Sequence, residues 1–425
     1  MTENENEGTE KMLHNKTYFI ICILAIGYMI DFFDLTIFAV VRVPALQSLG
    51  VKSEDFLTVS SLMFNAQAIG VVCGGVLSGI WGDKFGRMSA VRAGILLYSL
   101  AILANAFVTS VPLFAVMRFL AGVGLAGEFA ASVTLLSELL QSEKRGFASA
   151  AVYASGVFGG LLATVIGSLF DWQIIFIVGG VAGLVLLLIR FSIKDSILFQ
   201  TVKNKKYIVR GSLKFLLFHR ESFLKLIALT LLIIPFWFMA FFVNFSQEVA
   251  KNIGIKGEIN QSISLSVYLL GSLFGAYLFP FIARLIASRK IAIFSSLLLM
   301  FFSIGLFAVV SNTFSFYFIF FLIGMASGFP GLFMVMSAES FGTNQRSLAS
   351  SLIINLGRCS LVFMNAFVPW MGTLFAPNAH WIGFFLAASI FLVLGVCALM
   401  YLKETNNRSL DFYEGDFSED QLKRV

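Results

Sequence analysis

The stretch Gly79-Ile-Trp-Gly-Asp83-Lys84-Phe-Gly86-Arg87 sets an Asp, a Lys and an Arg within five residues between two long apolar runs. Charges packed that densely have to sit in water, so the stretch reads as a turn joining two buried helices. Its glycines let the backbone turn tightly, and its charges can pair neighbouring helix ends. Outward from this turn the chain stays apolar. Hydrophobic residues make up 58% and charged residues 13%, with a mean hydropathy of +0.88. A soluble domain carries about a quarter charged residues. This composition belongs to an integral membrane protein.

A helix needs about 20 apolar residues to cross the hydrocarbon core. Twelve runs qualify, at roughly 18–43, 57–80, 88–109, 112–139, 146–169, 172–192, 223–247, 263–287, 290–310, 314–338, 347–374 and 379–402. The expected fold is therefore all-α, with twelve membrane helices and no room for a soluble domain. The first seventeen residues hold four glutamates and no apolar core, which is not the pattern of a cleavable signal peptide. Loop charge gives the orientation. Residues 190–225 hold nine Lys and Arg, and Lys144, Arg145, Arg289, Lys290 and Arg346 fall on the same side. The opposite turns, near Ser110, Asp171, Asn312 and Asn378, hold none. Both termini are expected in the cytoplasm, in a cell (inner or plasma) membrane. The net charge of +6 follows from this bias and calls for no nucleic-acid partner.

Four cysteines lie in separate apolar runs, and three histidines fall in loops or tails. They form neither a metal-ligand pattern nor a catalytic grouping, so no metal and no enzyme activity are expected. No phosphate-cradling loop is present, which argues against ATP as the energy source or a bound cofactor. An ion gradient or simple facilitation remains.

The chain also repeats itself. Ser137-Glu138 to Arg145 and on to Ala148-Ser149 returns 201 residues later as Ala338-Glu339 to Arg346 and Ala349-Ser350. The expected division is residues 1–192 as a first half, 193–222 as a basic linker, 223–403 as a second half and 404–425 as a tail. The opening stretch fits G-x-x-x-D-[RK]-x-G-R and is similar to the loop signature of the major facilitator superfamily. Arg118-Phe-Leu-Ala-Gly122-Val-Gly124-Leu-Ala-Gly127-Glu128-Phe resembles the R-F-x-x-G-x-G-x-G-G-E-W run of its bacterial metabolite:proton symporters. Asp31-Phe-Phe-Asp34-Leu, Asp195-Ser-Ile-Leu-Phe199 and Lys403-Glu-Thr-Asn-Asn-Arg408-Ser-Leu410 resemble further motifs of that branch and of sugar porters. The resemblance implies two rocking halves around a midplane site. It also implies conformational latches at Gly79, Asp83, Lys84, Gly86 and Arg87, and at the pairs Glu138, Arg145 and Glu339, Arg346. Span five carries Ser155-Gly156-Val-Phe-Gly159-Gly160 where antiporters of the superfamily carry a proline, which favours symport or uniport.

Charges inside the spans cost at least about 2.5–3.5 kcal/mol each at a helix centre, so they are expected to face a cavity or each other. Asp31 and Asp34 are three apart and share a helix face. Arg118 lies about 9 Å below the outer end of its span, within side-chain reach of Asp34. With Glu128 these make a candidate proton-coupling set; the alternative is a fixed ion pair clamping spans one and four. In the second half Arg358 lies about 18 Å deep, and its fork suits a carboxylate. Asn355, Asn365, Trp237, Asn244 and Gln247 complete the candidate substrate site, with Trp237 equally readable as core. The expected function is import of a small organic metabolite, a carboxylate or amino-acid-like molecule, together with a proton, by a monomer in the bilayer. The alternatives are an exporter or carrier of a larger carboxylate such as a citrate-type siderophore, and a membrane sensor built on a transporter frame.

Overall fold

The computed structural model describes residues 3–191 and 212–410, apart from 86, 256, 376–379, 407 and 409, together with 412 and 414. Side chains of residues 3–18, 80, 82–87, 129–131, 138–139, 380 and 381 lie outside the description. The first half comprises α1 (Glu3–Ser48), α2 (Phe56–Phe85), α3 (Arg87–Asn105), α4 (Val111–Leu125), α5 (Glu128–Leu139), α6 (Ser142–Leu169) and α7 (Trp172–Arg190). The second comprises α8 (Leu213–Phe218), α9 (Arg220–Asn244), α10 (Ser246–Asn252), α11 (Gln261–Ile286), α12 (Arg289–Gly305), α13 (Thr313–Ala326), α14 (Pro330–Ser340), α15 (Arg346–Thr373) and α16 (His380–Tyr401). Among the described residues, eleven helical segments are long and apolar enough to cross a membrane. The remaining span is α4, which is shorter and continues after a break as α5.

Spans four and ten are broken, a feature the apolar pattern does not display. The first break falls at Ala126–Gly127, in a run with glycines at 122, 124 and 127. The second falls at Ser327–Gly328–Phe329, ahead of Pro330. Proline lacks an N–H and its ring clashes with the carbonyl four residues back, so the helix stops and restarts there. Each break frees a carbonyl, and each carbonyl is taken by the opposite half. Ala126 O accepts from Asn355 Nδ2 at 2.9 Å, and Ser327 O accepts from the Tyr153 hydroxyl at 3.1 Å. The two acceptors are 201 residues apart, the same interval as the charged repeat.

The halves meet along α2 with α15 and along α6 with α11. Within the first half, α4 lies close to α2 and α3. A Cβ added at Gly122 would strike the Gln67 carbonyl, and one at Gly124 would meet Gly94 O at 2.6 Å. These glycines are there for close packing. Three of the four cysteines, Cys22, Cys73 and Cys397, are exposed on the outer surface of the bundle; on a membrane protein an apolar side chain can face lipid as well as core.

Gly122→Val should overpack the α2–α4 contact at a cost of about 1–3 kcal/mol, seen as a lower melting temperature in detergent. Gly146→Ala, whose new carbon would find its nearest neighbour at 3.8 Å, should leave the melting temperature unchanged or slightly raised. Equal melting of both variants would refute the close-packing assignment.

Candidate functional site

Between the halves lies a cavity of about 150 Å³. Tyr28 and Phe32 of α1, Phe64 and Gln67 of α2 and Tyr153 of α6 line it from one half. Trp237 and Asn244 of α9, Tyr268 of α11, and Asn355 and Arg358 of α15 line it from the other. Aromatic rings from both halves share this wall with aliphatic side chains. Arg358 is its cation, half-buried and turned to the cavity, with its guanidinium 4.7 Å from the centroid of the Trp237 ring. Stacking of that kind orients a guanidinium while leaving its N–H edge free for an anion. No acidic side chain lies within 4 Å of Arg358 among the described residues. Its electrostatic neighbours are Tyr28 and Asp31 of the opposite half. The Trp237 indole N–H has no hydrogen-bond partner, so it too is available to a ligand.

The other expected substrate residues separate. Asn244 and Asn355 line the cavity, with Asn355 already committed to Ala126 O. Asn365 donates to Asn65 Oδ1 at 2.8 Å, bridging the halves away from the cavity. Gln247 donates to Ile259 O at 3.1 Å in the loop beyond α10 and does not reach the cavity.

The acids of the first half line one face of α1. Gly27, Asp31 and Asp34 follow each other at four and three residues, so they share that face. Asp34 is fully buried against Gly179 of α7, and neither carboxyl oxygen has a hydrogen-bond partner. Arg118 is its electrostatic partner, but the two do not form an ion pair within 4 Å. The Arg118 Nη2 instead donates to Gln67 Oε1 at 2.5 Å, and the guanidinium lies 5.1 Å from the Phe38 ring. Asp31 sits beside the Tyr98 hydroxyl of α3, within range of Glu128 and Arg190. Glu128 forms a buried ion pair with Arg190, the last residue of α7, and both head groups rest against Gly27.

Sequence reasoning missed Arg190, Gln67 and Tyr98. Arg190 ends an apolar run next to a basic linker and is indistinguishable there from a loop charge. Gln67 and Tyr98 carry no charge to mark them.

Contacts between the halves flank the cavity on both sides. Toward the end opposite the 190–225 basic segment, Arg42 Nη2 pairs with Glu248 Oε2 at 2.9 Å, and Phe64 meets Phe245 edge-on. Toward the basic-loop end, Glu339 accepts from Arg145 of the first half at 3.1 Å and from Arg289 of the second at 2.5 Å. Arg145 Nε also donates to Ser137 O at 3.0 Å, and Arg346 Nε to Ala338 O at 2.8 Å. The repeat thus places an arginine on the equivalent final-turn carbonyl of α5 and α14, where cations suit the helix dipole. Arg346 turns its Nη2 to Leu410 O in the tail. Of the remaining expected latch residues, Gly79 packs near Leu348 of the other half. Asp83, Lys84, Gly86, Arg87 and Glu138 fall among the positions whose side chains are outside the description.

A two-half bundle with broken spans, a central cavity and ion pairs between the halves at both ends is the architecture of a membrane carrier. Residues 24–364 match the Major Facilitator Superfamily, and the chain belongs to that family. The sialic acid transporter NanX of Escherichia coli is 26% identical over 78% of this chain and 82% of its own. The niacin transporter NiaP of Acinetobacter baylyi is 28% identical over 42% of this chain and 41% of its own. The 4-hydroxybenzoate transporter PcaK of Pseudomonas aeruginosa is 29% identical over 34% of this chain and 33% of its own. The chain thus matches well under half the length of these last two relatives. Among solved structures, the proton:xylose symporter XylE superposes with a TM-score of 0.74 at 17% identity, covering 93% of this chain and 97% of XylE. The fold is theirs.

Glu339→Gln would leave Arg145 and Arg289 facing each other without their shared carboxylate. Breaking a buried pair costs about 3–5 kcal/mol, enough to shift a two-state population severalfold or more. Spin labels at the exposed positions Gln141 and Ala287 should report longer distances in this variant. An unchanged distance distribution would show that Glu339 does not hold this end closed.

Proposed function

We propose that this chain is a secondary transporter that takes up a small carboxylate bearing a single ring, together with a proton, by alternating access. The observation that carries the reading is Arg358, a cation turned into a cavity with aromatic side chains from both halves and, among the described residues, without an acid within 4 Å. An unpaired guanidinium at that depth is costly, and a ligand carboxylate is its natural complement. The ring of such a ligand can stack among Tyr28, Phe32 and Trp237. The small cavity fits one ring better than a citrate-type siderophore. Relatives named for niacin and 4-hydroxybenzoate transport support the same class of ligand.

Proton coupling rests on Asp31 and Asp34 with Arg118 and Glu128 around them. A buried carboxyl with no hydrogen-bond partner is far cheaper as the neutral acid than as the anion. Asp34 meets that description in the closed form. The moving bodies are residues 1–192 and 223–403, joined by the 193–222 linker. The basic-loop end, with both termini, is assigned to the cytoplasmic face of the cell membrane by its Lys and Arg excess. Asp83, Lys84, Gly86 and Arg87 belong with Arg145, Glu339 and Arg346 in the latch at that face.

Purified protein should be stabilised in a thermal-shift panel by nicotinate, benzoate or 4-hydroxybenzoate, because a ligand held by the folded state raises its melting temperature. Arg358→Lys keeps the charge but loses the fork, and should weaken that binding by at least tenfold. Arg358→Gln should nearly abolish it. Binding equal to the parent in both variants, or a cationic substrate, would overturn the carboxylate reading.

Asp34→Asn removes one proton acceptor. In proteoliposomes this variant should lose accumulation driven by a pH gradient while keeping exchange of labelled for unlabelled substrate. Full gradient-driven accumulation by Asp34→Asn would remove Asp34 from the coupling set.

A further inference from the structure

We propose that a groove between the two halves at the basic-loop end is a binding site for an anionic phospholipid of the leaflet on that side. The groove has a volume of about 740 Å³, well above that of the central cavity. The first turns of α6 supply one wall, with Ser142, Lys144 and Phe147. The last turns of α11 supply another, with Pro280 and Arg284. Arg289 of α12 lines it too, so the groove adjoins the Glu339 latch. Asn406 of the tail joins the lining and donates its Nδ2 to Ala287 O at 2.9 Å, just past the end of α11. Since α6 belongs to the first half and α11 and α12 to the second, both halves build the site. It does not depend on the reading of Arg358 as a substrate anchor.

The polar part of the lining is cationic. Lys144, Arg284 and Arg289 stand there against a single acid, Glu143. Lys144 and Arg284 are exposed, and among the described residues neither side chain makes a hydrogen bond or an ion pair. Arg289 is engaged by Glu339, but that carboxylate is shared with Arg145, which leaves one positive charge of the three groups uncompensated. Ser142 Oγ is buried and has no hydrogen-bond partner. Ser142 also opens α6, and the residue before it, Gln141, gives that helix no side-chain cap. The positive end of α6 therefore lies at the groove as well. A phosphodiester brings one negative charge and several acceptor oxygens. Two free cations, an unpartnered hydroxyl and an uncapped helix start are its complement.

The rest of the lining favours a lipid over a free anion. Ile21, Leu140, Phe147, Pro280 and Leu332 give the groove apolar walls, which a soluble phosphate would leave uncovered. Beside it, the outer face of α11 continues as exposed apolar surface at Phe281 and Leu285. On a membrane helix such a surface meets acyl chains, so a lipid can place its chains along α11 and its phosphate among the cations. Lys and Arg stems suit that boundary, since they lie on apolar surface while their heads stay in the polar layer. Basic pockets between membrane helices at the cytoplasmic side bind anionic headgroups by this means. Lys144 and Arg284 come from different halves, so a phosphate held by both ties the halves together beside Glu339. The bound lipid thereby favours the form closed at this end.

The test is native mass spectrometry of the purified full chain, titrated with phosphatidylglycerol or with phosphatidylcholine of identical acyl chains. Phosphatidylglycerol should bind severalfold more tightly than phosphatidylcholine. Lys144→Gln and Arg284→Gln should each weaken its binding by about fivefold, while Arg220→Gln, at an exposed position outside the groove, should leave it unchanged. Equal binding of the two lipids, or a loss in Arg220→Gln as large as in the groove variants, would overturn the site. Inorganic phosphate and glycerol 3-phosphate separate a lipid from a free anion. Neither should displace phosphatidylglycerol at matched concentration, and displacement by either would show a soluble-anion site instead. Should the variants not fold, the parent decides it. Phosphatidylglycerol should raise its melting temperature in detergent by several degrees over phosphatidylcholine, and equal melting would refute the proposal. Failure of carboxylates to bind would remove the reading of Arg358 and leave this lipid result as it stands.

Discussion

A charge inside a membrane-thick protein has to be answered by an opposite charge, and the arrangement of this molecule follows from that requirement. The acids on α1 face α3, α4, α5 and α7 because those helices bring Tyr98, Arg118, Glu128 and Arg190 to them. Among the described residues Arg358 finds its acidic neighbour across the interface, in Asp31. The half that carries the acids therefore needs the half that carries the anchor. Moving the halves apart exposes these charges to water on one side, where they are cheap; closing the halves makes them costly again. In the proposed cycle, that difference gives a bound anion and a proton leverage over the conformational equilibrium.

The internal repeat shows which contacts are architecture and which are chemistry. Arg145 and Arg346 hold matching carbonyls of the preceding helices, and the breaks at Ala126 and Ser327 are answered by matching donors from the opposite half. These features survive in both halves because each is needed to end or restart a helix. The residues 201 positions on from Asp31 and Arg118 are Leu232 and Ile319, both apolar and buried. The proposed coupling acids thus have no counterparts at the repeat positions of the other half, which supplies Arg358 instead.

The fold was legible because its signals are long-range and redundant: apolar runs of membrane length, one-sided loop charge, and a charged motif that recurs. The motif between spans two and three placed the family together with the matches in spans one and four and in the tail. The site was legible only where a residue type is out of place in an apolar run, as with Asp31, Asp34, Arg118, Glu128 and Arg358. Depth counting brought Arg118 towards Asp34 but could not give it Gln67, since a neutral amide raises no alarm. It assigned Gln247 to the cavity because the short turn into α10, which carries it outward, leaves no trace in hydropathy. Arg190 was hidden by its position at a helix end beside eight further basic residues.

The inter-half contacts differ in kind between the level of the helix breaks and the two ends. At the level of the helix breaks the halves are joined by neutral hydrogen bonds, from Asn355 and Tyr153 to freed carbonyls. Such bonds contribute about 0.5–1.5 kcal/mol each and tolerate small rotations, because a carbonyl accepts over a broad range of angles. At the two ends the halves are joined by ion pairs, Arg42 with Glu248 and Arg145 with Glu339. In the alternating-access cycle proposed for this chain, rocking displaces the ends most and the centre least. Ion pairs placed there are broken completely when one end opens, and water then solvates the separated charges, which limits the cost of opening. Because a pair is lost at one end while the other is kept, the two open forms can lie close in energy. The balance between them is then left to what occupies the cavity and to the protonation of α1.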